Sequence, residues 1–152
     1  MLRKTILIMG VMIGLLTVSS CDKDDDDDDN DNIVLFAGAM NGANESPASP
    51  STATGNVTGS FDRSTKILTL TITYTGLSSA ITAWHVHKGA VGVSGSPLTG
   101  FDWGTMGASP WTWSSSPLDA TNEADLMNNL LYVNIHTVDH GGGEIRGQLT
   151  KQ

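Results

Sequence analysis

The chain has a single cysteine, Cys21, among its 152 residues. That excludes an intrachain disulfide and any cluster of cysteine metal ligands. Basic residues are scarce, eight Lys and Arg against sixteen Asp and Glu, and nowhere do they gather. Nucleic-acid binding, which needs a basic patch, is disfavoured on that ground. The longest apolar stretch, residues 6–18, stops short of the roughly 20 residues that a comfortable bilayer span requires. Catalytic signatures are missing as well. No Ser-His-Asp spacing or paired-carboxylate motif stands out, and the glycines of residues 89–95 do not sit between a strand and a helix as a phosphate loop requires. Histidine occurs only four times, so where these residues fall carries information.

What is present begins with an export signal. Arg3 and Lys4 precede the apolar stretch, and Val18-Ser19-Ser20-Cys21 follows it. This small-residue site ending in cysteine resembles the lipobox of bacterial lipoproteins. The resemblance implies cleavage of residues 1–20 and lipidation of Cys21 with a diacylglycerol and a further acyl chain such as palmitate. At about 0.8 kcal/mol per buried CH₂, several chains anchor a protein stably to a membrane. Residues 21–32 then form an expected tether, with eight aspartates between Asp22 and Asp31. Such a block of like charge repels itself and cannot bury apolar area. An acidic run just after the lipidated cysteine also resembles the surface-export signal of Bacteroidota lipoproteins. The expected location is therefore the outer membrane, exposed at the cell surface, with its periplasmic face as the alternative. Residues 33–152 carry eight acids and five bases, so the acidity of the chain belongs largely to the tether.

Those 120 or so residues suffice for one domain. Leu68, Leu70, Ile72 and Tyr74 alternate with Thr69, Thr71 and Thr73, the period-two pattern of a half-buried strand. Further strands are expected at 33–40, 55–61, 81–86, 130–136 and 144–150, with Asp62-Arg63-Ser64-Thr65 as a hairpin turn. A short helix is expected over 121–128, with Thr121 as N-cap. Short strands separated by frequent turns predict an all-β fold, an antiparallel Greek-key-like β-sandwich of about seven or eight strands with one short helix.

The histidines lie in two strand-like runs, Trp84-His85-Val86-His87 and Asn134-Ile135-His136-Thr137-Val138-Asp139-His140. Residues two apart on a strand share a face, so His85 and His87 point the same way. If the two strands are neighbours, His136 can complete a three-histidine site, with His140 or Asp139 as a fourth ligand. An imidazole-rich site without thiolate suits copper or zinc. The alternative is that the histidines hydrogen-bond to backbone, Glu144 or Asp139 and stiffen the sheet. Glu144, Arg146 and Gln148 alternate on one strand and suggest an ion pair between Glu144 and Arg146. Trp103, Trp111 and Trp113 fall within eleven positions. They can pack on the core, or form a stacking platform for a glycan.

Four segments together resemble the CHRD domain family, named after chordin. Phe36-Ala37-Gly38 through Asn44-Glu45-Ser46-Pro47 is similar to the family's opening strand and loop, with Ser46 where valine is usual. Thr54-Gly55 leads into the second strand. Ala83-Trp84-His85-Val86-His87-Lys88-Gly89 resembles its Ala-His-Ile-His-x-Gly signature, with Trp84 inserted. Leu131 to Thr137 with Gly142 to Leu149 resembles the closing signature very closely. The His-Val-His run is also similar to the copper-binding strand of copper/zinc superoxide dismutase, although that family's disulfide is impossible here. The CHRD resemblance implies an extracellular β-sandwich and no known catalysis. The expectation is a lipid-anchored, non-enzymatic module with a binding or structural role. Its expected partners are the membrane, through the anchor, and a surface glycan or protein. A copper- or zinc-binding domain and a carbohydrate-binding module are the alternatives.

Overall fold

The computed structural model describes residues 32–152. The export signal, Cys21 and the acidic run lie outside the described residues. Eight strands and one helix follow in order: β1 (Ile33–Asn41), β2 (Thr54–Asp62), β3 (Ile67–Thr75), β4 (Ile81–Lys88), β5 (Trp111–Ser114), α1 (Ala120–Met127), β6 (Leu131–Thr137), β7 (Ile145–Gln148) and β8 (Thr150–Lys151).

The β2–β3 hairpin shows how local sequence sets the pairing. The Asp62 carboxylate accepts from the backbone N–H of Ser64 and Thr65, and Lys66 closes the turn at φ 62°. This fixes the register, with Phe61 opposite Leu68 and Val57 opposite Ile72. Leu68, Leu70 and Ile72 are buried, and the threonines between them face outward as the alternation predicts.

The strands run in the order β4-β6-β7-β1-β2-β3-β5, with β8 added to β1, and every pairing is antiparallel. The connection from β3 to β4 passes from the last strand but one of this order to the first, so chain neighbours are not sheet neighbours there. The two halves, β4-β6-β7 and β1-β2-β3-β5, are joined through a single β7–β1 pair, Asn41 with Arg146, and through β8. The expected sandwich is thus one eight-stranded sheet folded into a half-barrel. Side chains from all strands but β8 meet in a single core that includes Phe36, Val57, Leu70, Trp84, Ile135 and Ile145. A fully buried aliphatic or aromatic side chain of this kind contributes about 1.5–3 kcal/mol.

Three local expectations are corrected. The N-cap of the helix is Asp119, whose carboxylate accepts from Asn122 N–H at 2.7 Å, and not Thr121. Leu118 is buried and its N–H donates to the Lys66 carbonyl, which sets where the helix can start. The expected strand 144–150 divides at the buried Leu149, so that β7 pairs with β6 and β8 crosses to β1. The strand β5 was not expected. It is four residues long, lacks Val and Ile, and is held by its Trp residues and by Thr71–Thr112 and Thr69–Ser114 hydroxyl contacts.

Every residue of β6 is buried, on both faces. Leu131, Val133 and Ile135 face the core. Tyr132, Asn134 and His136 face the other way and lie under the loops around 42–50, 89–97 and 140–143. Arg146 ties down one of these loops, donating to the carbonyls of Val93 and Ala90 at 2.9 and 2.7 Å.

Candidate metal centre

The antiparallel pairing of β4 with β6 sets Ala83 opposite His136, His85 opposite Asn134 and His87 opposite Tyr132. On the face away from the core, His85, His87 and His136 therefore converge. One ring nitrogen from each lies within 4.8 Å of the others. His85 Nδ1 is 3.3 Å from His136 Nε2. The adjacency that the sequence left conditional is present.

Backbone carbonyls fix the rings. The His87 Nδ1–H donates to the Gly95 carbonyl at 2.9 Å, and the His136 Nδ1–H to the Gly141 carbonyl at 3.0 Å. Each bond places the proton on Nδ1, which leaves the Nε2 lone pair of His87 free and turns that of His136 toward His85 Nδ1. The His87 Nε2 is buried without a partner. Orienting hydrogen bonds of this sort on the second nitrogen are the usual companions of metal-bound imidazole. His87 is held further by a stack in which its ring lies 5.0 Å from and nearly parallel to Tyr132, and the Arg146 guanidinium sits 3.4 Å over the other partner, the Tyr132 ring. Gly95 N–H in turn donates to the Tyr132 hydroxyl. A side chain at residue 95 would collide with the Lys88 carbonyl, its Cβ only 1.5 Å away, so only glycine brings this carbonyl to His87.

Burial lowers the pKa of all three histidines, that of His87 to about 4. They are neutral at pH 7 and offer lone pairs, not protons. His140 does not join them. It occupies the turn after β6, where its backbone bonds to Thr137 and Gly143, and the turn offers the Gly141 carbonyl, not the His140 ring, to His136. The expected Glu144–Arg146 ion pair is also absent. The Glu144 carboxylate accepts from Ser51, Ser78 and Thr137, while Arg146 is spent on the 89–95 loop, Gln148 and Tyr132.

Sequence reasoning missed Glu45 as a buried group beside this cluster. Asn134 donates to Glu45 Oε2 at 3.3 Å. Glu45 Oε1 and Asn134 Oδ1, two buried acceptors, have no partner. Both lie within 2.8 Å of the point where a Cβ on residue 143 would sit, a position filled by Gly143 at φ 128°. A proton on Glu45 supplies the missing donor, and burial raises its pKa to about 7 even though Arg146 and Asn134 favour the ionised form. The folded state thus holds this proton between pH 4.5 and about 7 where the unfolded chain does not, and the stability it contributes is lost as pH rises through 7. Glu45→Gln mimics the protonated acid. Its stability relative to the parent should rise with pH from about 4.5 to about 7 and level off above that, as urea unfolding at several pH values would record; a pH-independent difference would refute the assignment.

The CHRD domain family model matches residues 36–149, well over half of the chain and nearly all of the described fold. The chain belongs to the CHRD domain family. Of curated proteins and of solved structures, none matches it.

In this CHRD domain the three tryptophans proposed as a platform are half-buried against the core. Trp103 stacks on Trp113 at 5.0 Å, and Trp103, Trp111 and Trp113 each meet the buried Trp84 edge-on at 4.7–5.4 Å. Their rings are largely occupied with one another, which leaves little free face for a sugar. Trp103 also meets His85 edge-on at 5.8 Å, so the aromatic cluster reaches the histidine site.

Proposed function

We propose that this CHRD domain is a non-catalytic binding module whose ligand is a transition-metal ion, copper or zinc, held by His85, His87 and His136. The observation that carries the reading is the convergence of three neutral imidazoles, two of them with Nδ1–H fixed on carbonyls. A metal here would be held by one ring nitrogen from each histidine, and His85 would exchange its Nδ1 contact with His136 for the ion. The test is a titration of the untagged chain with Cu(I), Cu(II) and Zn(II). One equivalent of at least one of these ions bound with submicromolar affinity is expected, and uptake of none of them would return the histidines to a structural role.

The same proposal places the domain on a lipid tether from Cys21 at the outer membrane, on the support of the signal, the small-residue box and the acidic run in the sequence. Cys21→Ala should move nearly all of the protein from the membrane fraction to the soluble one on fractionation of expressing cells. Retention in the membrane would argue against lipidation.

A further inference from the structure

Building on the metal reading above, we propose that the histidine site selects monovalent copper, Cu(I), over Cu(II) and Zn(II). The argument is one of charge. All three ligands are neutral imidazoles, so a bound ion keeps its whole charge. The groups that orient them are neutral too: His87 and His136 donate to the carbonyls of Gly95 and Gly141, where a carboxylate would help to balance a dication. His87 and His136 are 7% and 9% exposed and His85 is half-buried, so the charge is placed in a partly desolvated site. The cost of desolvating an ion grows with the square of its charge, about four times more for a dication than for a monocation.

The charged neighbours reinforce this. Arg146, stacked on Tyr132 behind His87, adds a positive charge that acts on His87. Lys88, next to His87, is already paired with Asp125 at 2.7 Å. The carboxylate buried on this face, Glu45, is bonded to Asn134 and is held largely protonated below pH 7. Glu144 is committed to Ser51, Ser78 and Thr137. Below about pH 7, where Glu45 keeps its proton, no anion among these is free to offset a second positive charge. Three imidazoles are also a complete set for trigonal Cu(I), a closed-shell ion with no call for a fourth ligand, whereas Cu(II) prefers a tetragonal array.

The test is competition on the untagged full chain under anaerobic conditions, with Cu(I), Cu(II) and Zn(II) each set against a chromophoric chelator. One Cu(I) per chain is expected, held at least about 100-fold more tightly than Cu(II). At 59 mV per tenfold for one electron, that preference raises the potential of the bound couple by about 120 mV over the free ion. Asn134→Asp sets a carboxylate opposite His85 on the same face and should draw the ratio back toward the dications by about tenfold or more. Cu(II) or Zn(II) held as tightly as Cu(I) overturns the selectivity while leaving the three-histidine site intact. A folded Asn134→Asp with an unchanged ratio overturns it too, and if that variant fails to fold the parent ratio alone decides. Uptake of none of the three ions removes both this proposal and the reading on which it rests.

Discussion

His87→Ala is expected to abolish stoichiometric metal binding while leaving the domain folded. The loss in affinity should be at least about 100-fold, because removal even of a group that merely orients a ligand costs 10–100-fold. His87 is the most informative of the three. Its Nε2 is buried and without a partner in the absence of metal, so that atom contributes nothing to the stability of the metal-free fold. What the substitution takes from the metal-free protein is the bond to Gly95 and the stack on Tyr132, worth together about 1–2 kcal/mol. The readout is a pair of melting curves. Metal at a hundredfold excess over Kd stabilises the parent by about 2.7 kcal/mol, a rise of roughly 10 °C for a domain of this size. The variant should melt a few degrees lower and show no rise. A purely structural role predicts the opposite pattern, a destabilised variant and no metal shift in either protein. The pH profile adds a second check. Because burial lowers all three pKa values from the ordinary 6.5, that of His87 to about 4, affinity should fall less between pH 7.5 and 6.5 than it would for exposed imidazoles, and weaken as pH falls further. An exposed histidine cluster would already lose metal near 6.5.

The parts of this arrangement that could be read in the sequence are those governed by period. Alternation placed His85 with His87, and His136 with Asn134, each on its own strand face, and the turn at Asp62 fixed the β2–β3 hairpin. Alternation cannot say which strands are neighbours, since β4 and β6 are more than forty residues apart and pair only because the sheet folds over. Nor could it find the supporting groups. Gly95, Gly141 and Glu45 act through loops, and what matters of the two glycines is a carbonyl, which leaves no mark in side-chain pattern. His140 misled for the same reason. It shares parity with His136, but the chain turns after Thr137 and parity no longer applies. The strand Trp111–Ser114 was missed because its strand character comes from packing on Trp84 and not from its own propensity.

That packing makes Trp84→Ala the most damaging core substitution expected. The strand order starts at β4 and finishes at β5, and no pairing links these two ends to each other. Side chains do so instead. Trp84 from β4 is 1% exposed and meets Trp111 and Trp113 of β5, and its Nε1–H donates to the Trp103 carbonyl at 2.8 Å. Truncation to alanine opens a large cavity at the point where the half-barrel closes and leaves that carbonyl without its donor. Buried Trp→Ala changes cost about 3–5 kcal/mol, and the orphaned carbonyl places this one toward the upper end. Against a total of about 5–15 kcal/mol for a native domain, that is a large share. Urea unfolding should show a midpoint far below that of the parent. Emission from Trp103, Trp111 and Trp113 should move to longer wavelength as water enters. Trp84→Phe keeps most of the apolar volume but cannot donate to Trp103, and should lose roughly half as much. A loss below about 1 kcal/mol in Trp84→Ala would mean that the sheet ends are held by something other than this cluster. Because Trp103 touches both Trp84 and His85, the same variant also asks whether closure supports the metal site. If the 101–106 loop shifts when Trp84 is lost, metal affinity should fall in Trp84→Phe even though no ligand has changed.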